Sequence, residues 1–230
     1  MLTARYMDEI KIFEIKEDIL SRNNEQAKDI RREMREKKIF FLNVMSSPGS
    51  GKTTLITNLI NRLKGDYSIG VIEADLDSAV DAATIARETG VKVVQIHTSG
   101  ACHITCQMSY ESLLALGVDG LDVVILENIG NLVCPAEFDT GATKNLVLLS
   151  VPEGDDKPLK YPLMFEVASA VAVTKTDVGG IFDFMPERAV KNIRKRNQSA
   201  PVIFTSAKTG EGLDRLEKYL REEIEKVRNE

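Results

Sequence analysis

The chain has 230 residues, 43% hydrophobic and 28% charged, with a net charge of −5. That composition excludes a wholly disordered or collagen-like chain, and the mildly acidic balance argues against nucleic acid or an anionic membrane as a partner. No apolar run approaches the ~18 residues that span a bilayer, the first residues lack the apolar core of a secretory signal, and three Cys in no framework spacing suit a reduced, cytoplasmic setting.

The chain opens on a highly charged stretch. From Glu14 to Lys37 the apolar residues Ile15, Ile19, Leu20, Ala27, Ile30 and Met34 recur largely at three- and four-residue spacings, which predicts an amphipathic helix. Residues 1–38 are read as that helical segment, packed on or beside the domain, with a dimerisation or partner helix as the alternative. Residues 39–230 are read as one α/β domain. Short apolar runs at Ile39–Met45, Ile69–Ala74, Val91–Ile96, Leu121–Leu126, Asn145–Val151, Ala170–Val173 and Pro201–Thr205 have the texture of parallel strands buried on both faces. Helical patterns at Thr54–Lys64, Ala79–Thr89, Ser109–Leu116, Glu187–Arg196 and Leu213–Arg228 lie between or after them.

The first strand runs into Ser46-Ser47-Pro48-Gly49-Ser50-Gly51-Lys52-Thr53. This is the phosphate-binding loop G-x-x-x-x-G-K-[ST] with Ser46 in place of the first glycine. Gly49 and Gly51 let successive N–H groups turn toward one oxyanion, and the N-terminus of the following helix adds its dipole. Pro48, Ser50 and Thr54 complete the cradle, Lys52 reaches the β- and γ-phosphates, and Thr53 offers a hydroxyl to Mg²⁺. Asp75 and Glu127 end the second and fourth apolar runs, where ligands of open α/β sheets bind, and both suit a hard cation. Glu73 and Asp77 are alternatives to Asp75. Asp75 is also the best candidate for ordering water, so Lys52, Thr53 and Asp75 are the expected catalytic residues.

Cys102 and His103 follow the third strand, and Cys134 follows the fourth. Thiolate and imidazole donors suit Zn²⁺ and can also suit Ni²⁺. Three ligands are too few for a closed tetrahedral site but suffice if two chains share a site about a two-fold axis. Spacing alone leaves buried, inert cysteines as the alternative. Cys106 is either a further ligand or a small core residue, and His97 is read as core or loop packing. Asp155–Pro158 reads as a surface turn.

Near the end, Thr174-Lys175-Thr176-Asp177 resembles the guanine motif [NT]-K-x-D. An aspartate there accepts from guanine N1–H and N2–H₂, a donor pair that adenine lacks. Thr174 departs from the usual asparagine. Ser206-Ala207-Lys208, one α/β unit later, resembles the loop whose backbone N–H meets guanine O6. GTP and GDP are therefore the expected nucleotides.

Together the segments MSSPGSGKTTL, VIEADLDSAVDA, VQIHTSGACH, ENIGNLVCP and LLSVPEGDDKPLKYPLMF, followed by TKTD and SAKTGEG, resemble the HypB family of GTPases, which act in nickel insertion during [NiFe]-hydrogenase maturation. The resemblance implies a P-loop NTPase fold of the signal-recognition and partitioning branch, with a mostly parallel sheet between helices. It implies a GTP-dependent homodimer with metal, Ni²⁺ or Zn²⁺, at its interface on Cys102, His103 and Cys134. It implies slow, switch-type GTP hydrolysis, and the partner protein HypA and the hydrogenase large subunit as partners. The family often carries a Cys-rich or His-rich nickel leader. Here there is no Cys before Cys102 and there are two His in all, so the interface site is the expected nickel site. Ile104-Thr105-Cys106-Gln107 replaces the family's usual acidic and His-containing continuation, which alters the polarity beside the metal. The competing readings are a urease-type nickel chaperone and a small-molecule P-loop kinase.

Overall fold

The central apolar runs form parallel strands because helices cover both of their faces. The computed structural model describes residues 15–76, 78–98 and 100–230. In chain order its elements are α1 (Ile15–Glu36), β1 (Phe40–Met45), α2 (Lys52–Leu63), β2 (Ile69–Asp75), α3 (Val80–Thr89), β3 (Lys92–His97), α4 (Cys106–Leu116), β4 (Val123–Glu127), α5 (Cys134–Glu137), β5 (Lys144–Ser150), α6 (Lys157–Lys160), α7 (Pro162–Glu166), β6 (Ala170–Thr174), α8 (Pro186–Arg194), β7 (Val202–Phe204) and α9 (Leu213–Asn229). Among the described residues the seven strands form one sheet in the order β3-β2-β4-β1-β5-β6-β7. Every pairing is parallel.

Alternation along the strands sorts the helices into two layers. Phe40, Leu42 and Val44 of β1 pack with Leu55, Leu59 and Ile60 of α2 and Leu216, Leu220 and Ile224 of α9. Phe41 faces the other way, against Ala27, Ile30 and Met34 of α1 and Leu113 and Leu116 of α4. Met45, Val147 and Val171 continue that second layer toward Phe165 of α7 and Ala189 and Ile193 of α8. The loops that follow the strands therefore gather at one edge of the sheet, the edge at which such folds bind ligands.

The amphipathic helix is α1, and it packs on the domain through Ala27, Ile30 and Met34, whereas Ile19 of its expected stripe is 50% exposed. Arg31 holds it, one guanidinium nitrogen donating to both Asp139 carboxylate oxygens at 2.7 and 2.8 Å and Nε to the Ala142 carbonyl at 2.9 Å. Asn23 donates to the Asp139 carbonyl and accepts from Cys106 N–H, each at 2.8 Å.

Some expectations need correcting. Helix α2 starts at Lys52, two residues early, because Gly51 turns straight into it. Helix α4 starts at Cys106 because the Thr105 side chain caps it by accepting from Met108 N–H. Asp155 is buried rather than on a surface turn. It accepts from Met185 N–H and Arg188 at 2.8 and 2.6 Å, and α6 follows it directly. His97 is exposed at the end of β3, not packed. The short helices α5, α6 and α7 have too few residues to show a period. The first fourteen residues of the 1–38 segment, the alternative carboxylate Asp77 and Ser99 lie outside the described residues. No helix among the described residues is long and apolar enough to cross a membrane.

Candidate functional site

The phosphate loop joins β1 to α2, and Gly51 sits at φ 92° just before the helix. No side chain caps α2, so its first N–H groups stay open to an anion. Lys52 Nζ donates to Ser46 Oγ at 3.2 Å, and Ser50 Oγ donates to the same hydroxyl. Ser46, the departure from the motif, thus parks the lysine. Burial holds the Lys52 ammonium below its usual range, with the nearby Glu127 charge opposing that effect.

Thr53 Oγ1 donates to Glu127 Oε1 at 2.9 Å. The other oxygen of Glu127 is buried without a donor among the described residues, and burial pushes this carboxyl up to about 7. A threonine hydroxyl beside a carboxylate oxygen with no donor is an oxygen-only donor set that fits Mg²⁺. Asp75 lies at the end of β2 and accepts from Ser78 N–H at 2.7 Å. Glu73, two residues deeper, is 2% exposed. Its carboxyl is pushed up to about 8, first by burial and then by the Glu127 charge.

Beside the phosphate loop is a cavity of about 310 Å³ lined by Ser50, Gly51, Thr54, Thr174, Lys175, Asp177, Ala207 and Lys208 among others. Its residues come from the two base-site motifs and the phosphate loop. Lys175 takes a left-handed conformation at φ 60° and donates to the Gly49 carbonyl at 2.6 Å. Thr174 Oγ1, in the usual asparagine position, donates to the Ser50 carbonyl at 2.8 Å. A hydroxyl here therefore ties the base loop to the phosphate loop. Ser206 Oγ donates to Asp177 Oδ1 at 2.7 Å, which orients the carboxylate.

The loops after β3 and β4 bring three donors together. One ligand atom from each of Cys102, His103 and Cys134 lies within 4.8 Å of the others. The two sulfurs are 2.9 Å apart, and Cys102 Sγ is 3.8 Å from His103 Nδ1. The His103 ring stacks on Phe138 with centroids 3.7 Å apart, and burial lowers its pKa against the raising effect of Glu137. Asn131 donates to the Cys102 carbonyl at 3.3 Å and accepts from Val133 N–H at 2.8 Å, which holds the two loops in register. Cys106 is in the core instead, fully buried among α1 and α4, and burial pushes its thiol up to about 12. It is outside the cluster.

Sequence reasoning did not single out Phe138, Asn131 or Glu153. Glu153 accepts from the Ser47 hydroxyl of the phosphate loop and from Ser150 N–H and Oγ at 2.8 and 2.7 Å. Its only signal was its place in the VPEGDDKP segment.

A profile of the family described as CobW/HypB/UreG, nucleotide-binding domain, matches residues 40–204. The hydrogenase maturation factor HypB of Escherichia coli K12 is 40% identical over 214 residues, which are 93% of this chain and 73% of that protein. The crystal structure of HypB from Helicobacter pylori in complex with nickel superposes with a TM-score of 0.83 at 38% identity, covering 89% of this chain and 96% of that one. The signal recognition particle receptor FtsY from Elizabethkingia anophelis, in complex with GDP, shares the fold alone, with a TM-score of 0.52 at 17% identity over 75% of this chain and 63% of that one.

Proposed function

The chain belongs to the HypB family of hydrogenase maturation factors, and from that premise we propose that it is a GTPase whose nucleotide state governs nickel held by Cys102, His103 and Cys134. The observation that carries the proposal is adjacency. The metal cluster sits on the loops after β3 and β4, and β4 itself ends at Glu127 beside Thr53 of the phosphate loop. One rearrangement of these loops reaches both sites.

In this reading Lys52 leaves Ser46 to meet the β- and γ-phosphates, and the backbone from Pro48 to Thr54 cradles them. Thr53 and Glu127 hold Mg²⁺, which supplies charge neutralisation at the phosphates. Asp75 orders water near the γ-phosphate. Asp177 accepts from guanine, while Lys175 lies along the base and Ser206–Lys208 supply the backbone donor for its carbonyl. The 310 Å³ cavity between the two motifs has room for a base. Guanine selection follows from Asp177, since adenine offers it no matching donor pair.

Cys102, His103 and Cys134 present two sulfurs and one imidazole, a set that suits nickel and also zinc. A second copy meeting the first across these loops would complete the coordination sphere. Exposed Leu76, Val80 and Val133 near these loops are apolar surface that such a homodimer would cover. HypA and the hydrogenase large subunit are the partners the family suggests.

The deciding experiment is a Ni²⁺ titration read by thiolate-to-metal charge-transfer absorbance, once with GDP and once with a non-hydrolysable GTP analogue. A nucleotide-dependent affinity or stoichiometry is expected. Superimposable curves would refute the switch.

A further inference from the structure

Three buried oxygens in the floor of the phosphate site find no donor among the described residues: Glu73 Oε2, Glu127 Oε2 and Gln95 Oε1. They form a row. Glu73 pairs in register with Gln95 of β3 on one side and with Glu127 of β4 on the other. Val71 and Ile125, two residues before Glu73 and Glu127, pack into the α2 core, and alternate residues of a strand share a face. The row therefore lies on the α2 side of the sheet, beneath the phosphate loop. Glu73 and Glu127 are each 2% exposed, and both charges act on the Lys52 ammonium.

Buried acceptors without donors destabilise a fold, so two such carboxylates side by side point to a ligand that supplies donors. Glu127 already meets Thr53, and Asp75, farther along β2, accepts from Ser78 N–H. Glu73 takes a side-chain hydrogen bond from Gln95, and its Oε2 is left over. Mg²⁺ dehydrates reluctantly and keeps several waters when bound. Their O–H groups need acceptors, and in a closed site those acceptors must come from the protein.

We propose that Glu73, with Gln95 beside it, is a positioning residue for the Mg²⁺–nucleotide complex, its free oxygen accepting hydrogen bonds from the waters that the cation retains. The proposal rests on the nucleotide-site reading above and adds to it an outer shell drawn from the neighbouring strands. Glu73 acts through those waters and touches neither the nucleotide nor the cation.

The test needs no turnover. Binding of a fluorescent GDP analogue is measured in a Mg²⁺ titration and again in EDTA, for the wild-type chain, Glu73→Leu and Glu73→Gln. Glu73→Leu removes the acceptor and should raise the Mg²⁺ midpoint about tenfold or more, leaving affinity in EDTA unchanged. Glu73→Gln keeps a carbonyl acceptor and should fall between the two. A midpoint unchanged in both variants overturns the proposal, as does an equal loss with and without Mg²⁺, the mark of a merely structural role. If Glu73→Leu does not fold, Glu73→Gln decides, and an unchanged midpoint in that variant overturns the proposal. A wild-type chain that binds no GDP at any Mg²⁺ concentration overturns the nucleotide-site reading itself.

Discussion

The three cysteines show how burial separates chemistry that the sequence leaves equal. Cys102 is exposed and Cys134 half-buried, whereas Cys106 is fully buried with its thiol at about 12. A thiol-reactive dye should therefore label two of the three in the native protein and the third only after denaturation; three rapid labels would contradict this packing. Cys134→Ala should weaken Ni²⁺ binding at least about tenfold while the metal-free protein keeps its GDP affinity. Unchanged metal affinity would remove Cys134 from the site. The buried carboxyls set a pH dependence. Glu73 and Glu127 titrate in the fold near about 8 and about 7, against 4.5 when exposed. The native state thus binds these protons more tightly than the unfolded chain does. The stabilisation is complete below the ordinary carboxylate range and is lost as pH rises through about 7 and 8. In Mg²⁺-free buffer the thermal midpoint should fall over that window, and Glu73→Leu should flatten the fall. A steeper or equal slope in Glu73→Leu would count against this origin. The phosphate-loop and base-site residues stood out at this scale by their motif spacing, whereas spacing left Cys102, His103 and Cys134 open and only the family resemblance singled them out. Phe138 against His103 and Glu153 against Ser47 were not legible, since each pairs residues distant in sequence with no local pattern.

At the scale of elements, the strands were readable because burial on both faces leaves a continuous apolar run, and the boundaries of β1, β2 and β5 fall within one residue of the reading. Helix starts were less readable, since a cap such as Thr105 or a turn such as Gly51 decides them. The seat of α1 depends on a contact that no period predicts. Gly141 takes φ +80°, and a Cβ there would lie 2.7 Å from Ile30 Cβ. The glycine is needed for the turn and for the close approach of α1. Gly141→Ala should destabilise the protein by about 1–3 kcal/mol, read as a lower urea midpoint. Met34→Ala, which empties a buried site in the same cluster, should cost about 2–5 kcal/mol. If both changes left the midpoint where it was, α1 would be an appendage rather than part of the core.

At the scale of the molecule, the strand order was not in the sequence, because register and neighbour choice arise from non-local packing. That order would give the proposed coupling its physical path. It sets β2, β4 and β1 side by side, so the phosphate loop, Asp75 and Glu127 emerge together, and the chain runs on from β4 through Asn131 to Cys134. The Asn131 bond to the Cys102 carbonyl then ties the segments that carry Cys102 and Cys134 into one unit. A shift of that unit with the γ-phosphate would move the ligands. Linkage makes the effect reciprocal: the factor by which a GTP analogue, relative to GDP, changes Ni²⁺ affinity must equal the factor by which Ni²⁺ changes the preference for the analogue. Lys52→Ala removes the ammonium that the proposed function assigns to the phosphates but leaves Cys102, His103 and Cys134 in place. It should retain Ni²⁺ binding and lose the difference between the nucleotides, so that both factors collapse to one. A Lys52→Ala protein that still distinguished GTP from GDP in its metal affinity would show that the signal enters elsewhere than the phosphate loop.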